Sequence, residues 1–125
     1  MPRPHTAYYS IIQFCPDSSR LEVANVGVVL LCPELNYLDA ITTESNDRIK
    51  RFFDLEIDEK RMRFEKFGIQ ESLKIDRDDY LSLESLRHFI ATRCNRMVMS
   101  PLREVFIYEI ETPEMILDRL YKRLV

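Results

Sequence analysis

The stretch Tyr8-Tyr-Ser-Ile-Ile-Gln-Phe-Cys-Pro-Asp-Ser-Ser-Arg-Leu-Glu-Val-Ala-Asn-Val-Gly-Val-Val-Leu-Leu-Cys-Pro33 decides how this chain of 125 residues folds. Residues 8–14 are β-branched and aromatic and stop at Cys15-Pro16. Pro16, Asp17, Ser18 and Ser19 supply turn chemistry. Residues 23–32 form a second strand that ends at Pro33. Its tail is apolar on both faces, which places it centrally in a sheet covered on both sides. Gly27 inside that strand predicts a bulge or a close approach by a neighbour. A third strand over 37–43 completes an antiparallel meander.

Downstream the hydrophobic period changes. Ser45 or Asn46 can cap a helix carrying Ile49, Phe52 and Phe53. Asp58 can cap a second, with Met62, Phe64 and Phe67 as apolar residues and Gly68 as its end or interruption. Asp78 or Asp79 can cap a third, with Leu83, Leu86, Phe89 and Ile90 as its buried stripe. Residues 97–110 return to strand composition, broken at Ser100-Pro101. Thr112-Pro113-Glu114 reads as a helix start: a cap, a proline in the first turn, then an acid at the positive dipole end. Ile116, Leu117, Leu120 and Leu124 are that helix's buried face. The predicted organisation is one α+β domain over 1–125. It comprises a meander over 8–45, a helical segment over 46–96, and a strand-plus-helix segment over 97–125.

Composition narrows the function classes. Hydrophobic residues make up 46% and charged residues 31%, which suits a folded globular chain and excludes a disordered one. Eighteen basic against twenty-one acidic residues give a net charge of -3. Neither half of the chain is basic, which disfavours a free-standing nucleic-acid binder. Lys60, Arg61, Arg63 and Lys66 are interleaved with Asp58, Glu59 and Glu65, and read as a solvated helix face. No uncharged stretch reaches the roughly 20 residues a spanning helix needs, so no membrane role is expected. The start Met1-Pro-Arg-Pro-His-Thr has no apolar core behind it, and the expected compartment is the cytoplasm. The three cysteines, Cys15, Cys32 and Cys94, fit no zinc spacing. Cys15 and Cys32 fall at opposite ends of the predicted hairpin, beyond disulfide reach.

Catalytic templates are absent, and no cofactor or metal is expected. His5 is read as part of a frayed terminus and His88 as a surface residue. Cys94 lies six positions from His88, which does not align them on one helical face. Arg93, Arg96 and Arg103 read as surface groups, and Met97, Met99 and Met115 as core filler before contact surface. One dense polar cluster stands out: Gln13, Asp17, Arg20, Glu22 and Asn25, beside Tyr8, Tyr9 and Phe14. Two readings compete. In the structural one, Arg20 pairs with Glu22 or Asp17, and Asn25 bonds backbone near the Gly27 bulge. In the other, Tyr9, Gln13, Asp17, Arg20, Glu22 and Asn25 form a recognition surface, with Pro16 and Gly27 shaping the turn and the bulge.

The hairpin resembles the start of the bacterial domain-of-unknown-function family 3037. The positions that carry the resemblance are Tyr9, Ser10, Gln13, Phe14, Pro16, Asp17, Arg20, Glu22, Asn25, Gly27, Val28 and Val29. The closing run Leu117-Asp-Arg-Leu-Tyr-Lys-Arg-Leu-Val125 is similar to that family's last helix, while 46–96 matches no motif. Phe14 stands where the family more often has Tyr. The resemblance implies a cytoplasmic bacterial protein. It also implies a gene neighbourhood of HipA-like serine/threonine kinases, hence a non-catalytic accessory or regulatory partner in a toxin–antitoxin or defence setting. A homo-oligomer, and a small enzyme or ligand sensor with a pocket at the hairpin, are the alternatives.

Overall fold

The computed structural model describes residues 3–15, 23–43, 59–92 and 97–125. Pro16, Asp17, Arg20 and Glu22 lie outside the described residues. So do the helix expected from Ser45 or Asn46, the Asp58 cap, and Arg93, Cys94 and Arg96. Five strands form one antiparallel sheet: β1 (His5–Phe14), β2 (Ala24–Cys32), β3 (Tyr37–Thr42), β4 (Met97–Met99) and β5 (Arg103–Ile107). Three helices accompany them among the described residues: α1 (Glu59–Ile75), α2 (Leu83–Ala91) and α3 (Pro113–Leu124). The order is β3-β2-β1, with β4 and β5 sharing the far side of β1. The α+β class and the N-terminal meander read from the sequence are both present.

β2 is the structural centre, buried along almost its whole length. Its register against β1 slips once: Ile12 opposes Gly27 and Gln13 opposes Asn25, so Val26 is the extra residue of a bulge. The slip reverses the side-chain alternation. Ala24, Val26, Val29 and Leu31 pack with Ile69 and Leu73 of α1 and with Leu86 and Phe89 of α2. Val28, Leu30 and Cys32 pack on the opposite face with Ile116, Leu117 and Leu120 of α3. One strand therefore feeds two hydrophobic layers, which accounts for its unbroken apolar tail. Each large side chain so buried contributes roughly 1.5–3 kcal/mol.

Breaks in the edge strands are satisfied locally. The turn between β4 and β5 falls at Ser100-Pro101. There Ser100 N–H donates to the Ile11 carbonyl at 2.9 Å, and Ile11 N–H donates to the Ser100 hydroxyl at 2.8 Å. The buried Ser10 hydroxyl donates to the Ser100 carbonyl at 2.7 Å. The hydroxyl and main chain of Ser100 thus bridge β1 where no strand continues. α3 starts as its sequence indicates, with Thr112 Oγ1 accepting from Met115 N–H at 3.2 Å, worth about 1 kcal/mol. Glu111 fastens the preceding turn by accepting from Tyr108 N–H at 3.1 Å and pairing with Arg119 at 2.9 Å. The Tyr108 amide and Arg119 hold its carboxyl below the usual range.

Four local expectations are corrected. His5 is not frayed: it opens β1 opposite Ile107 and meets Glu34 at 2.6 Å. α2 is capped by Ser82, which exchanges hydrogen bonds with Ser85, because Asp78 and Asp79 are taken up in a 3-10 turn over 77–80. α1 runs through Gly68, so a helix expected to stop or break there continues to Ile75. The solvated face expected of Lys60, Arg61, Arg63 and Lys66 fails at Lys66. Phe64 and Phe67 are exposed, whereas Lys66, Ile69 and Leu73 are buried. Met97 and Met99 are core and Met115 is exposed. Cys15 and Cys32 are free, and burial, with the charge of Glu34 adding, pushes the Cys32 thiol up and keeps it unreactive.

The two glycines should respond to alanine with opposite signs. A Cβ on Gly27 would meet the Ile41 carbonyl oxygen at 2.8 Å, Thr42 Cγ2 at 3.0 Å and Ile12 Cδ1 at 3.1 Å. A Cβ on Gly68 meets nothing within 4 Å. Gly27→Ala is expected to lose about 1–3 kcal/mol through forced strand separation. Gly68→Ala should gain about 0.5–1 kcal/mol through helix propensity. Urea unfolding of both variants checks the pair; a loss at Gly68 or neutrality at Gly27 would contradict this packing.

Candidate functional site

Of the hairpin residues expected to act together, the described ones are Tyr9, Gln13 and Asn25. Gln13 Nε2 donates to Asn25 Oδ1 at 3.2 Å, and Asn25 Nδ2 donates to the Leu124 carbonyl at 2.8 Å. The bulge causes this meeting. It leaves Asn25 on the α3 face of β2, opposite Gln13, where the last turn of α3 presents carbonyls without helical partners. The Asn25 amide thus ties the hairpin to the end of the chain. Tyr9 packs half-buried against the α3 layer and pairs in register with Leu30 and Arg103. It stands four strand positions from Gln13, about 13 Å along β1, and does not join that pair.

A second polar site lies at the other edge of the sheet, where the charge run on α1 had masked it. β3 is the edge strand there, and α1 covers it. Gln70 Nε2 donates to the Ala40 carbonyl at 2.9 Å, and Gln70 Oε1 accepts from the Thr42 hydroxyl at 2.9 Å. Asp39 Oδ1 takes the Ala40 N–H at 2.8 Å. Side chains therefore occupy both outward main-chain groups of Ala40, in the middle of the edge that a further strand would pair with. One turn back along α1, Lys66 Nζ donates to the Thr43 carbonyl at 2.7 Å and contacts Thr43 Oγ1 at 3.1 Å. Lys66 is only 2% exposed, so the expected solvated helix face is corrected at this position. Lys60 and Arg63 do face solvent. Burial, reinforced by the like charge of Arg63, lowers the Lys66 pKa from its ordinary 10.5.

Lys66 lines a groove of about 480 Å³ together with Thr43, Arg63, Phe67 and Gln70. A neighbouring depression of about 500 Å³ is lined by Lys60, Arg63, Phe64 and Phe67. The missed signal was spacing. Lys66, Ile69, Gln70 and Leu73 fall at intervals of three and four on one helical face. A lysine at the head of that series needs a buried acceptor, and the Thr43 carbonyl at the end of β3 provides it.

The molecule is thus an α+β domain with one antiparallel sheet between two helical layers. Residues 9–125 match the family described as Protein of unknown function (DUF3037), and the chain belongs to that family. No curated protein and no solved structure matches it. Among the described residues, no helix is long and apolar enough to cross a membrane.

Two substitutions test this geometry. Asn25→Ala should cost about 1–2 kcal/mol, because it leaves the Leu124 carbonyl without its donor. A change within about 0.5 kcal/mol in denaturant unfolding would show that the contact carries no weight. Lys66 has the pH dependence of a buried base. Its folded pKa lies below 10.5, so the unfolded chain binds more protons between the two values. Stability from this group therefore rises with pH across that window. Wild type should gain on Lys66→Met as pH rises toward 10.5, and a flat difference would mean the ammonium is not desolvated.

Proposed function

We propose that this protein is a non-catalytic accessory module that binds a partner protein along the open edge of β5. Main-chain parity supports the reading. Ile11 directs its N–H and carbonyl toward Ser100, so alternate residues of β1 bond toward β5. In that register His5, Ala7 and Tyr9 bond to Ile107, Val105 and Arg103. The main-chain groups of Glu104 and Phe106 then face outward. Exposed apolar side chains gather beside them: Phe106, Tyr108, Ile110 and Met115, with Ile110 91% exposed. An unpaired edge flanked by apolar side chains is suited to strand addition by a partner.

The kinase neighbourhood that the family resemblance implies makes a HipA-like serine/threonine kinase the partner to test first, with regulation of that kinase as the function. The polar end of the hairpin, with Asp17, Arg20 and Glu22, is the second candidate surface for the same role. Affinity capture of tagged wild type, Phe106→Glu and Glu22→Ala separates the two surfaces. The β5 reading expects a stoichiometric kinase with wild type and Glu22→Ala, and its loss with a folded Phe106→Glu. Loss only with Glu22→Ala moves the contact to the hairpin. Capture of no kinase by wild type removes the proposal.

A further inference from the structure

We propose that the groove between β3 and α1 binds a small oxyanion with an aromatic or other apolar body, its carboxylate or phosphate held by Arg63 and Lys66 against Phe67. Lys66 is the one charged side chain among the described residues that is buried. Its ammonium has three N–H groups, and the contacts it makes are to two neutral oxygens of Thr43. Arg63 lines the same groove and adds like charge beside it. Two neighbouring cations, one of them desolvated, form an arrangement that an anion stabilises through charge-assisted hydrogen bonds.

The walls define the rest of the ligand. Gln70 is committed to Ala40 and Thr42, so it closes the groove and leaves the anion to the cations. The groove volume of about 480 Å³ matches small-molecule sites, which run to roughly 300–1,000 Å³. Lys60, Arg63, Phe64 and Phe67 follow at intervals of three and four, placing two cations and two phenylalanines on one helical face. Phe64 is 78% exposed and Phe67 57%, an unusual exposure for two rings on one helix. Arg63 and Phe67 line both depressions, so an anion at Lys66 has an apolar surface beside it for its body. This site lies at the opposite edge of the sheet from β5, and the two proposals fail independently.

The test is a titration of the ¹⁵N-labelled full chain with phenyl phosphate, benzoate, inorganic phosphate and phenol, followed by amide and side-chain shifts. Saturable shifts at Thr43, Arg63, Lys66 and Phe67 are expected with phenyl phosphate or benzoate at millimolar concentration or below. The tighter of the two identifies the preferred head group. Phenol should give no saturation, and inorganic phosphate should bind more weakly than phenyl phosphate. Arg63 is exposed, so Arg63→Gln leaves the fold in place and is expected to weaken binding roughly tenfold or more. Phe67→Ala should reduce phenyl phosphate to the affinity of inorganic phosphate. Absence of saturation with every anion, unchanged affinity in Arg63→Gln, or phenol binding as tightly as the anions would overturn the proposal.

Discussion

The extra residue in β2 is the constraint on which the rest of the structure depends. Val26 stands unopposed between the Ile12–Gly27 and Gln13–Asn25 pairs, and Gly27 lets β3 close to within van der Waals range. Without the slip, strict alternation would send Val26 and Val28 to the same layer. With it, Ala24 and Val26 join Val29 and Leu31 beneath α1 and α2, while Val28, Leu30 and Cys32 lie beneath α3. The same shift puts Asn25 within 2.8 Å of the final carbonyl of α3. One local irregularity therefore couples both helical layers and the chain's last turn to a single strand.

The two edges of the sheet are handled differently, and the functional reading follows from that difference. On the β3 side, Asp39 and Gln70 occupy the main-chain groups of Ala40 and Lys66 binds the Thr43 carbonyl at the strand's end, so the ladder offered to another chain is interrupted there. Closing this edge draws Lys66 into the interior beside Arg63, and a groove forms around the buried charge. On the β5 side nothing comparable covers Glu104 and Phe106 among the described residues. The strand is short, which limits uncontrolled self-pairing, yet it is bordered by exposed rings.

Much of this architecture was legible in the sequence because strong local signals agreed with the tertiary solution. The apolar tail of β2 specified burial on both faces, Gly27 marked the bulge, Ser100-Pro101 marked the break, and Thr112-Pro113-Glu114 marked the start of α3. The phase of α1 was not legible. Phe64 and Phe67 read only as apolar residues of the helix, with no face assigned; the helix buries the aliphatic stem of Lys66 to bring its ammonium to the Thr43 carbonyl, and turns both rings outward. The groove was hidden for the same reason, since a lysine amid Glu59, Arg61, Arg63 and Glu65 resembles any solvated run. At the hairpin, residue types announced a polar cluster. Which polar groups meet, however, depended on the register slip, and that set Asn25 toward Leu124.

Hydrogen exchange at individual amides, with the chain alone and with its captured partner, tests the central claim most directly. The account predicts that Glu104 and Phe106 exchange rapidly in the isolated chain while Val105 and Ile107 are protected by β1. Both outward amides should then slow when the partner is bound. Protection of Glu104 and Phe106 in the isolated chain would contradict the open edge, and unchanged rapid exchange in the complex would contradict its use.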